Sequence, residues 1–356
     1  MKKGDKLLLG IVVFLSLFGL LMIYDASSVR AFIDYGDKYH FLRDQTVWVV
    51  LGLITLTFFS IFDYHKLYYF ALPLLIVALV SLCMVFIPGI GAGAKGANRW
   101  IDLQFVRIQP AEFVKLTLAI YLAAWFSNKE KSRFLAFCLL MGTVLILVLL
   151  EPDLGTASII LAQAGIIYFL SGGSIKHLII SLPIIGLIWV LLIKIEPYRA
   201  TRLMNFMNLN KSLDNIDYHI KQILIALGSG GIYGLGIGNS RQKYGYLPES
   251  MTDAIFPIIA EEIGFIGANI LILLFIIIVW RGFVIALKAK DAFGRLLAAG
   301  IISFLGMQII INLGAMTALF PLTGVPLPFI SYGGSALLID MASVGILLNI
   351  SKNTTK

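Results

Sequence analysis

Asp253 is an acidic side chain at the entry to an apolar stretch, where it could take part in chemistry. It precedes Pro257, a residue type that begins a helix readily but disturbs one already formed, so Asp253 is expected just outside the next helix or in its first turn. A carboxylate there would lie at the outer mouth of a cavity. The more ordinary role of Asp at such a position is to cap the helix, and Thr252 or Ser250 could cap it instead. The local pattern leaves these roles open.

Glu261 and Glu262 lie further along the same stretch. Eight residues of helix would separate Glu261 from Asp253 by about 12 Å. A retaining glycosidase needs two carboxylates about 5 Å apart, so the spacing excludes that pair. A single carboxylate suffices where the leaving group is a pyrophosphate, because such a group needs nearby cations rather than a general acid.

Basic side chains precede Asp253 in the segment 194–253. The candidates to bind phosphate or pyrophosphate are Arg199, Arg202, Arg241 and Lys243. Arg in particular binds such groups through two parallel hydrogen bonds. A solvated loop that contacts lipid head groups accounts for the same charges, and charge alone does not decide between the two interpretations.

Glu112 and Lys115 fall inside an apolar stretch, where a charge costs about 2.5 to 3.5 kcal/mol on insertion scales. Pro110 suits the first position of a helix, and Glu112 then lies in the first turn, where the helix dipole favours an anion. Lys115 follows three residues later and shares its face. The spacing predicts either a structural ion pair or a pair that binds substrate.

Two segments depart from the regular apolar pattern. Residues 228–238 contain six glycines, which allow tight turns and close approach to a ligand, although a flexible turn is the simpler interpretation. Residues 321–335 contain three prolines and cannot form a regular helix. Irregular backbone near membrane depth occurs where it is buried in protein or lines a wet cavity. We therefore expect 321–335 to form part of a site wall, with Ser331 among the substrate-binding residues, or else a plain turn.

The rest of the chain is too apolar for a soluble globular protein. Its 356 residues are 59% hydrophobic and 13% charged, and the mean hydropathy is +0.91. A membrane helix needs about 20 mostly apolar residues. Ten apolar stretches occur, at 7–24, 45–62, 69–86, 110–126, 134–150, 156–170, 179–193, 255–280, 296–318 and 335–350. We predict an all-α, polytopic membrane protein with about ten transmembrane helices, forming a single membrane domain over residues 1–356.

The distribution of Lys and Arg predicts the orientation. If ten helices alternate, the N-terminus, the segments 129–133 and 281–295, and the C-terminal tail fall on one side, and their basic residues mark it as cytoplasmic. Both termini are then cytoplasmic. A large extracytoplasmic loop, residues 194–253, lies between helices 7 and 8, and its basic charge does not oppose this because long loops translocate regardless of charge. Apolar residues spaced as on one helix face predict a short helix over 217–227 within it.

The four histidines are scattered, without a spacing typical of zinc sites. The sequence therefore predicts no structural metal site and no certain cofactor. A divalent cation could share the binding of pyrophosphate, although no cluster of carboxylates demands one.

Motifs spread from the first span to the last resemble the shape, elongation, division and sporulation (SEDS) family of peptidoglycan polymerases. They are YHIKQ, LGSGGIYGLGIGNSRQKYGYLPESMTD, IIAEEIGFIG, EPDLGTA, GANRWI, QPAEFVKL and GVPLPFISYGGS. Within the family, YDASS, SRQKYGYLPE and LTGVPLPFISYGGS are most similar to the division and sporulation members. Ala254 and Ala336 stand where relatives often carry other residues, and neither position is a proposed reacting group.

The resemblance implies a glycosyltransferase that polymerises lipid II outside the cytoplasmic membrane of a bacterium, during cell division. It also implies that Asp253 is the essential acid of the family, which favours catalysis over capping, and that Glu112 and Lys115 are its intramembrane acid and base. We expect Asp253 to accept the proton of the acceptor sugar hydroxyl while undecaprenyl pyrophosphate leaves.

The expected partners are lipid II, a class B penicillin-binding protein that crosslinks the strands, and other division proteins, but no nucleic acid. Two other functions remain open. A lipid II flippase would use the same charged cavity without a base, and a non-enzymatic division scaffold would need neither.

Overall fold

Helices make up most of the chain in the computed structural model, which describes residues 4–94, 97–102, 107–128, 133–207 and 217–354. The helices in these ranges are α1 Lys6–Tyr35, α2 His40–Ile61, α3 Lys66–Met84, α4 Pro110–Ser127, α5 Phe134–Leu150, α6 Leu154–Leu170, α7 Ile175–Ile195, α8 Pro197–Met207, α9 Tyr218–Ser229, α10 Ile255–Lys288, α11 Ala292–Met316 and α12 Gly334–Lys352.

Ten of these helices correspond one to one to the ten apolar stretches of the sequence. Seven, namely α1, α2, α3, α7, α10, α11 and α12, are long and apolar enough to cross a membrane, and α5 and α6 are apolar but shorter. The remaining one, α4, carries the charged pair at positions 112 and 115. The prediction of an all-α, multi-pass membrane protein is confirmed. The short helix predicted over 217–227 is α9, which Asp217 caps by accepting a hydrogen bond from His219 N at 2.9 Å.

A small antiparallel sheet, which the sequence pattern did not predict, lies between α3 and α4. Its strands are β1 Gly91–Ala94, β2 Ala97–Asp102 and β3 Arg107–Ile108, in the order β1-β2-β3. Gly91 pairs with Ile101, and Ile101 pairs in turn with Ile108. The first strand consists only of glycine and alanine, residue types that are depleted in strands, so composition gives no sign of it.

Among the seven long apolar helices, α11 and α12 are the most buried. In each of them 83% of the best apolar window is buried, whereas no residue of α7 is buried. Polar side chains on α11 and α12 are therefore surrounded by protein rather than lipid, and they must find partners within the bundle.

The connecting segments gather at the two ends of the bundle. The site end, as we name it, holds the described parts of segments 36–39, 85–109, 151–153, 196–254 and 317–333. A contact between Lys243 and Asp25, 2.8 Å apart, joins two of the elements at this end. At the opposite, terminal end the first and last helices meet, and Asp5 N donates to Ser351 Oγ at 3.1 Å.

Helix α10 is interrupted at Gly264, whose φ of 71° and ψ of −173° are not helical. The interruption lets the glycine-rich segment 228–238 pair with the helix, and Gly236 N donates to Glu262 O at 3.0 Å. The two backbones approach closely: a Cβ on Gly234 would lie 2.1 Å from Glu262 O, and one on Gly264 would lie 2.2 Å from Gly234 N. These glycines thus serve close packing against the protein's own helix, where the sequence suggested a flexible turn or an approach to a ligand.

Candidate functional site

Asp253 lies just before α10 at the site end and does not cap the helix. The N-cap residue is Ala254, and no side chain makes a capping hydrogen bond. Pro257 is the third residue of α10, in the first turn, as its fixed φ favours. The hypothesis that Asp253, Thr252 or Ser250 caps this helix is therefore wrong. The carboxylate of Asp253 is buried, and its Oδ1 accepts a hydrogen bond from Thr252 Oγ1 at 3.2 Å.

The surroundings of Asp253 raise its pKa. Burial, reinforced by the neighbouring carboxylate of Glu249, raises the pKa of Asp253 to about 6. Hydrogen bonds from the backbone and from Thr252 oppose this increase, and so does the charge of Arg202. A carboxyl group with such a pKa is ionised at neutral pH and is a stronger base than an ordinary aspartate, which suits general-base catalysis.

Three consecutive carbonyl groups before α10 accept hydrogen bonds from the last part of the chain. The bonds run from Tyr332 N to Met251 O (2.9 Å), from Ser331 Oγ to Thr252 O (2.6 Å) and from Asn312 Nδ2 to Asp253 O (2.9 Å). The segment 251–253 is thus fixed by tertiary contacts where a cap is absent. Asn312 was not identified from the sequence, although an amide inside an apolar span was the signal that could have found it.

Ser331, predicted to bind substrate, is buried beside this segment. Its hydroxyl donates to Thr252 O and accepts from Leu327 N at 2.8 Å. A serine has one donor, and here the protein backbone uses it. In this structure Ser331 supports the backbone next to Asp253 rather than presenting a donor to a ligand.

The predicted arginines occupy different positions around the site. Arg202 on α8 is half-buried, donates to Leu322 O at 2.8 Å and is close enough to Asp253 to lower its pKa. Arg241 is exposed on the loop before α10. Arg199 also belongs to α8, but its side chain lies outside the described residues.

Lys243 is buried at the site end and is fully paired. Its Nζ donates to Asp25 Oδ1 at 2.8 Å, Gly238 O at 2.6 Å and Glu262 Oε1 at 3.3 Å. An ammonium group has three donors, so none remains for a phosphate. Burial by itself lowers the pKa of Lys243, but the two acids outweigh burial and raise it. The expectation that Lys243 binds pyrophosphate is corrected accordingly: its charge holds the loop against α1 and α10.

Glu261 also fixes this loop. Its carboxylate accepts hydrogen bonds from the hydroxyls of Ser229 and Ser240 and from the backbone amides of Arg241 and Gln242. These bonds occupy both carboxylate oxygens. Glu261 therefore organises the loop that leads to Asp253, a role that no local pattern indicated.

Glu112 and Lys115 form the ion pair that their spacing predicts, with Nζ and Oε2 2.7 Å apart and both side chains buried. Lys115 Nζ also donates to Gln308 Oε1 at 2.6 Å, and Gln308 Nε2 donates to Pro326 O at 3.1 Å. The pair is thereby linked through α11 to the segment 321–333, which also supports Asp253.

Asp340 on α12 is a buried acid that was not identified from the sequence. Lys115 and Glu112 are the charged groups that act on it, and its Oδ1 has no hydrogen-bond partner among the described residues. One lysine therefore interacts electrostatically with two carboxylates inside the bundle. The signal was the same as for Glu112, an acidic residue within an apolar stretch.

The turn of the EPDLGTA motif is hydrogen-bonded to the sheet at the site end. Arg99 on β2 donates to Glu151 O at 2.8 Å and to Pro152 O at 2.6 Å, and Asp153 caps α6 by accepting from Thr156 N at 2.9 Å. Glu151 is buried. Burial, with a contribution from Asp153 and against the effect of Arg99, raises the pKa of Glu151 to about 8.

Over the described ranges, no group of three or more His, Cys, Asp or Glu side chains is arranged to hold a metal ion.

Comparison with known proteins gives matches along almost the whole chain. The model of the cell cycle protein family that comprises FtsW, RodA and SpoVE matches residues 5–356. Stage V sporulation protein E of Bacillus subtilis is 38% identical over 355 residues, which cover 98% of this chain and 97% of that protein. A probable peptidoglycan glycosyltransferase FtsW of Trichlorobacter lovleyi is 39% identical over 354 residues, covering 98% and 93% of the two chains.

Solved structures with a similar fold also match along almost the whole chain. One belongs to a peptidoglycan synthase complex studied for its coordination of polymerization and crosslinking, with a TM-score of 0.79, 27% identity and coverage of 98% and 97%. The crystal structure of the rod shape determining protein RodA of Thermus thermophilus has a TM-score of 0.73 at 26% identity, with coverage of 99% and 98%.

Proposed function

The chain belongs to the FtsW, RodA and SpoVE family of cell cycle proteins, and on this premise we propose that it is a peptidoglycan glycosyltransferase that polymerises lipid II during division. The observation that carries the proposal is the Asp253 carboxylate at the site end of the bundle. It is buried, has a raised pKa and does not cap α10. The names of the relatives support the class of reaction, and the geometry of Asp253 supports its mechanism.

In the proposed step Asp253 is the general base. Its carboxylate takes the proton of the acceptor sugar 4-hydroxyl while that oxygen forms a bond to the anomeric carbon of the donor muramyl sugar. The bond between this carbon and the pyrophosphate oxygen breaks, the configuration inverts, and undecaprenyl pyrophosphate leaves with the electron pair. General-base assistance of this kind contributes about 10² to 10⁴ in rate.

The leaving group is proposed to be bound by arginines at the site end. Arg202 is the leading candidate because its charge already acts on Asp253, and Arg241 follows because its side chain is exposed on the loop. Arg199 shares α8 with Arg202 and is retained as a candidate. Arg can bind a pyrophosphate oxygen pair with two hydrogen bonds.

Glu112 and Lys115 are proposed to contribute to substrate binding from the membrane interior. The link from Lys115 through Gln308 to Pro326 supports this, because it connects the ion pair to the segment that carries Ser331. If substrate displaced Gln308 from Lys115, the hydrogen bond from Gln308 to Pro326 O would also be disturbed. Pro326 belongs to the same segment that holds the backbone beside Asp253.

The site end is proposed to face the outside of the bacterial inner membrane, with both termini in the cytoplasm. Basic residues near the terminal end support this orientation, and residues 194–253 then form the large outer loop of a single domain, 1–356. A class B penicillin-binding protein and other division proteins are the proposed partners. The similarity to a chain of a peptidoglycan synthase complex supports such an assembly.

A polymerisation assay with purified protein and lipid II tests the proposal, with and without a class B penicillin-binding protein. We expect glycan polymer from the wild type, a loss of at least about 100-fold in Asp253→Ala, and wild-type activity in Asp34→Ala, which changes an exposed acid on α1. Normal polymerisation by Asp253→Ala would reject the general base. Movement of labelled lipid II between leaflets without joining would favour a flippase, and neither activity would favour a scaffold.

A further inference from the structure

We propose that Asn312 is the positioning residue for Asp253. This inference rests on the proposed function, because positioning matters only if Asp253 accepts a proton during the reaction. It goes further by assigning a role in the reaction to a neutral side chain of α11. This side chain makes no described hydrogen bond to the Asp253 carboxylate.

The amide of Asn312 uses both of its donors on backbone carbonyl groups. Nδ2 donates to Asp253 O at 2.9 Å and to Val325 O at 2.8 Å, and the side chain is buried. Its Oδ1 has no hydrogen-bond partner among the described residues. The reverse orientation would place Oδ1 against two carbonyl oxygens, so the donors determine how this side chain sits.

A single side chain thus joins Asp253, two residues before α10, to the segment 321–333. That segment supplies the other two bonds to the neighbouring carbonyl groups, from Ser331 Oγ to Thr252 O and from Tyr332 N to Met251 O. The three bonds fall on consecutive residues and come from two different elements. Together they fix the direction in which the backbone enters α10, and with it the Cα–Cβ bond of Asp253.

This support is needed because α10 has no side-chain cap. A cap would normally fix the residue before a helix, but here the N-cap residue is Ala254 and no capping hydrogen bond forms. Displacement of a reacting group by about 1 Å can reduce a rate by about 100-fold. Because Asn312 holds the carbonyl of Asp253 and not its carboxylate, it occupies neither of the carboxylate oxygens.

The test compares Asn312→Leu, which has a similar shape but no donors, with the wild type and with Ser303→Ala. Ser303 is buried on the same helix, and its hydroxyl bonds only to Ala299 O of that helix, at 2.6 Å. We expect Asn312→Leu to lower kcat by about 10- to 100-fold, to leave KM for lipid II within about twofold, and to shift the acidic limb of the pH profile. Ser303→Ala should retain all three wild-type values.

Asn312→Asp provides a second variant of the same size, in which oxygen replaces the donating nitrogen. The same loss of kcat is expected in the folded fraction, measured by size-exclusion chromatography. Wild-type kcat and pH profile in folded Asn312→Leu and Asn312→Asp would overturn the inference, whatever their thermal stability.

Ser331→Ala decides the matter if neither Asn312 variant folds. Loss of a positioning bond lowers kcat at unchanged KM, whereas loss of a direct substrate contact raises KM. Unchanged kcat would overturn the inference.

Failure of the proposed function has a separate signature. If the wild type forms no polymer, the glycosyltransferase assignment fails first. Hydrogen–deuterium exchange of residues 251–255 then judges the positioning role alone, with an acceleration of about tenfold or more expected in Asn312→Leu over Ser303→Ala. No acceleration would overturn it.

Discussion

Lys243 Nζ lies 2.8 Å from Asp25 Oδ1, so a cation of the loop before α10 is paired with an acid on α1. The same Nζ lies 3.3 Å from Glu262 Oε1 on α10. The loop that leads to Asp253 is thus anchored to two helices by one buried charge. This arrangement gives Lys243 a structural role, and the arginines remain the residues proposed to bind phosphate.

Lys243→Met should destabilise the protein markedly. Removing one partner of a buried ion pair costs about 3 to 5 kcal/mol, because the remaining charges stay buried without compensation. The thermal unfolding midpoint in detergent, compared with that of Lys221→Met at an exposed position of α9, measures the effect. Equal midpoints for the two variants would contradict the structural role.

The pH dependence of polymerisation should report the carboxyl group of Asp253. With its pKa raised to about 6, a general base is protonated and inactive below that pH and becomes active as the pH rises through it. We expect kcat/KM to increase with pH with a midpoint near 6. A midpoint near 4, typical of an exposed aspartate, would show that Asp253 is not the titrating base.

Two neighbours of Asp253 should move this midpoint in opposite directions. Glu249→Gln removes a negative charge that raises the pKa of Asp253, so the acidic limb should move to lower pH. Arg202→Met removes a positive charge that lowers it, so the limb should move to higher pH. The comparison is made on pH profiles normalised to their maxima, since Arg202→Met should also weaken binding of the leaving group. Shifts of the same sign would contradict the electrostatic assignment.

Gly264→Ala should be poorly tolerated. Its φ of 71° and the 2.2 Å distance from a new Cβ to Gly234 N combine backbone strain with a backbone clash, and we expect a loss of about 2 to 4 kcal/mol. Gly228→Ala is the matched control, because nothing lies within 4 Å of its added Cβ and alanine favours the helix by about 0.5 to 1 kcal/mol. Thermal unfolding of the two variants checks the sign of each change.

Glu112→Gln should destabilise the protein, whereas Asp340→Asn should not. Glu112 forms the 2.7 Å ion pair with Lys115, so its neutralisation should cost about 3 to 5 kcal/mol. Asp340 is the second acid near the same lysine, so its neutralisation should leave the unfolding midpoint unchanged or raise it. A large decrease in Asp340→Asn would show that Lys115 depends on Asp340 for its charge balance.

Sequence alone determined the membrane helices and the family. Each apolar stretch satisfies its backbone hydrogen bonds within itself, as a membrane requires, so local composition suffices to place ten helices. The ion pair of Glu112 and Lys115 was predictable for the same reason, since residues three apart share a helix face. The motifs around Asp253 marked the acid through family resemblance.

Tertiary structure decided which polar groups meet. Lys243 and Asp25 are 218 residues apart, and Asn312 and Asp253 are 59 apart, so no local pattern connects them. The hydrogen-bond partner of a buried group depends on which elements pack beside it, and packing follows from the shape of the whole bundle. For that reason the sequence could name Asp253 as an acid of interest, but only the folded chain showed that it does not cap α10. The folded chain also showed that the three donors of Lys243 are used within the protein.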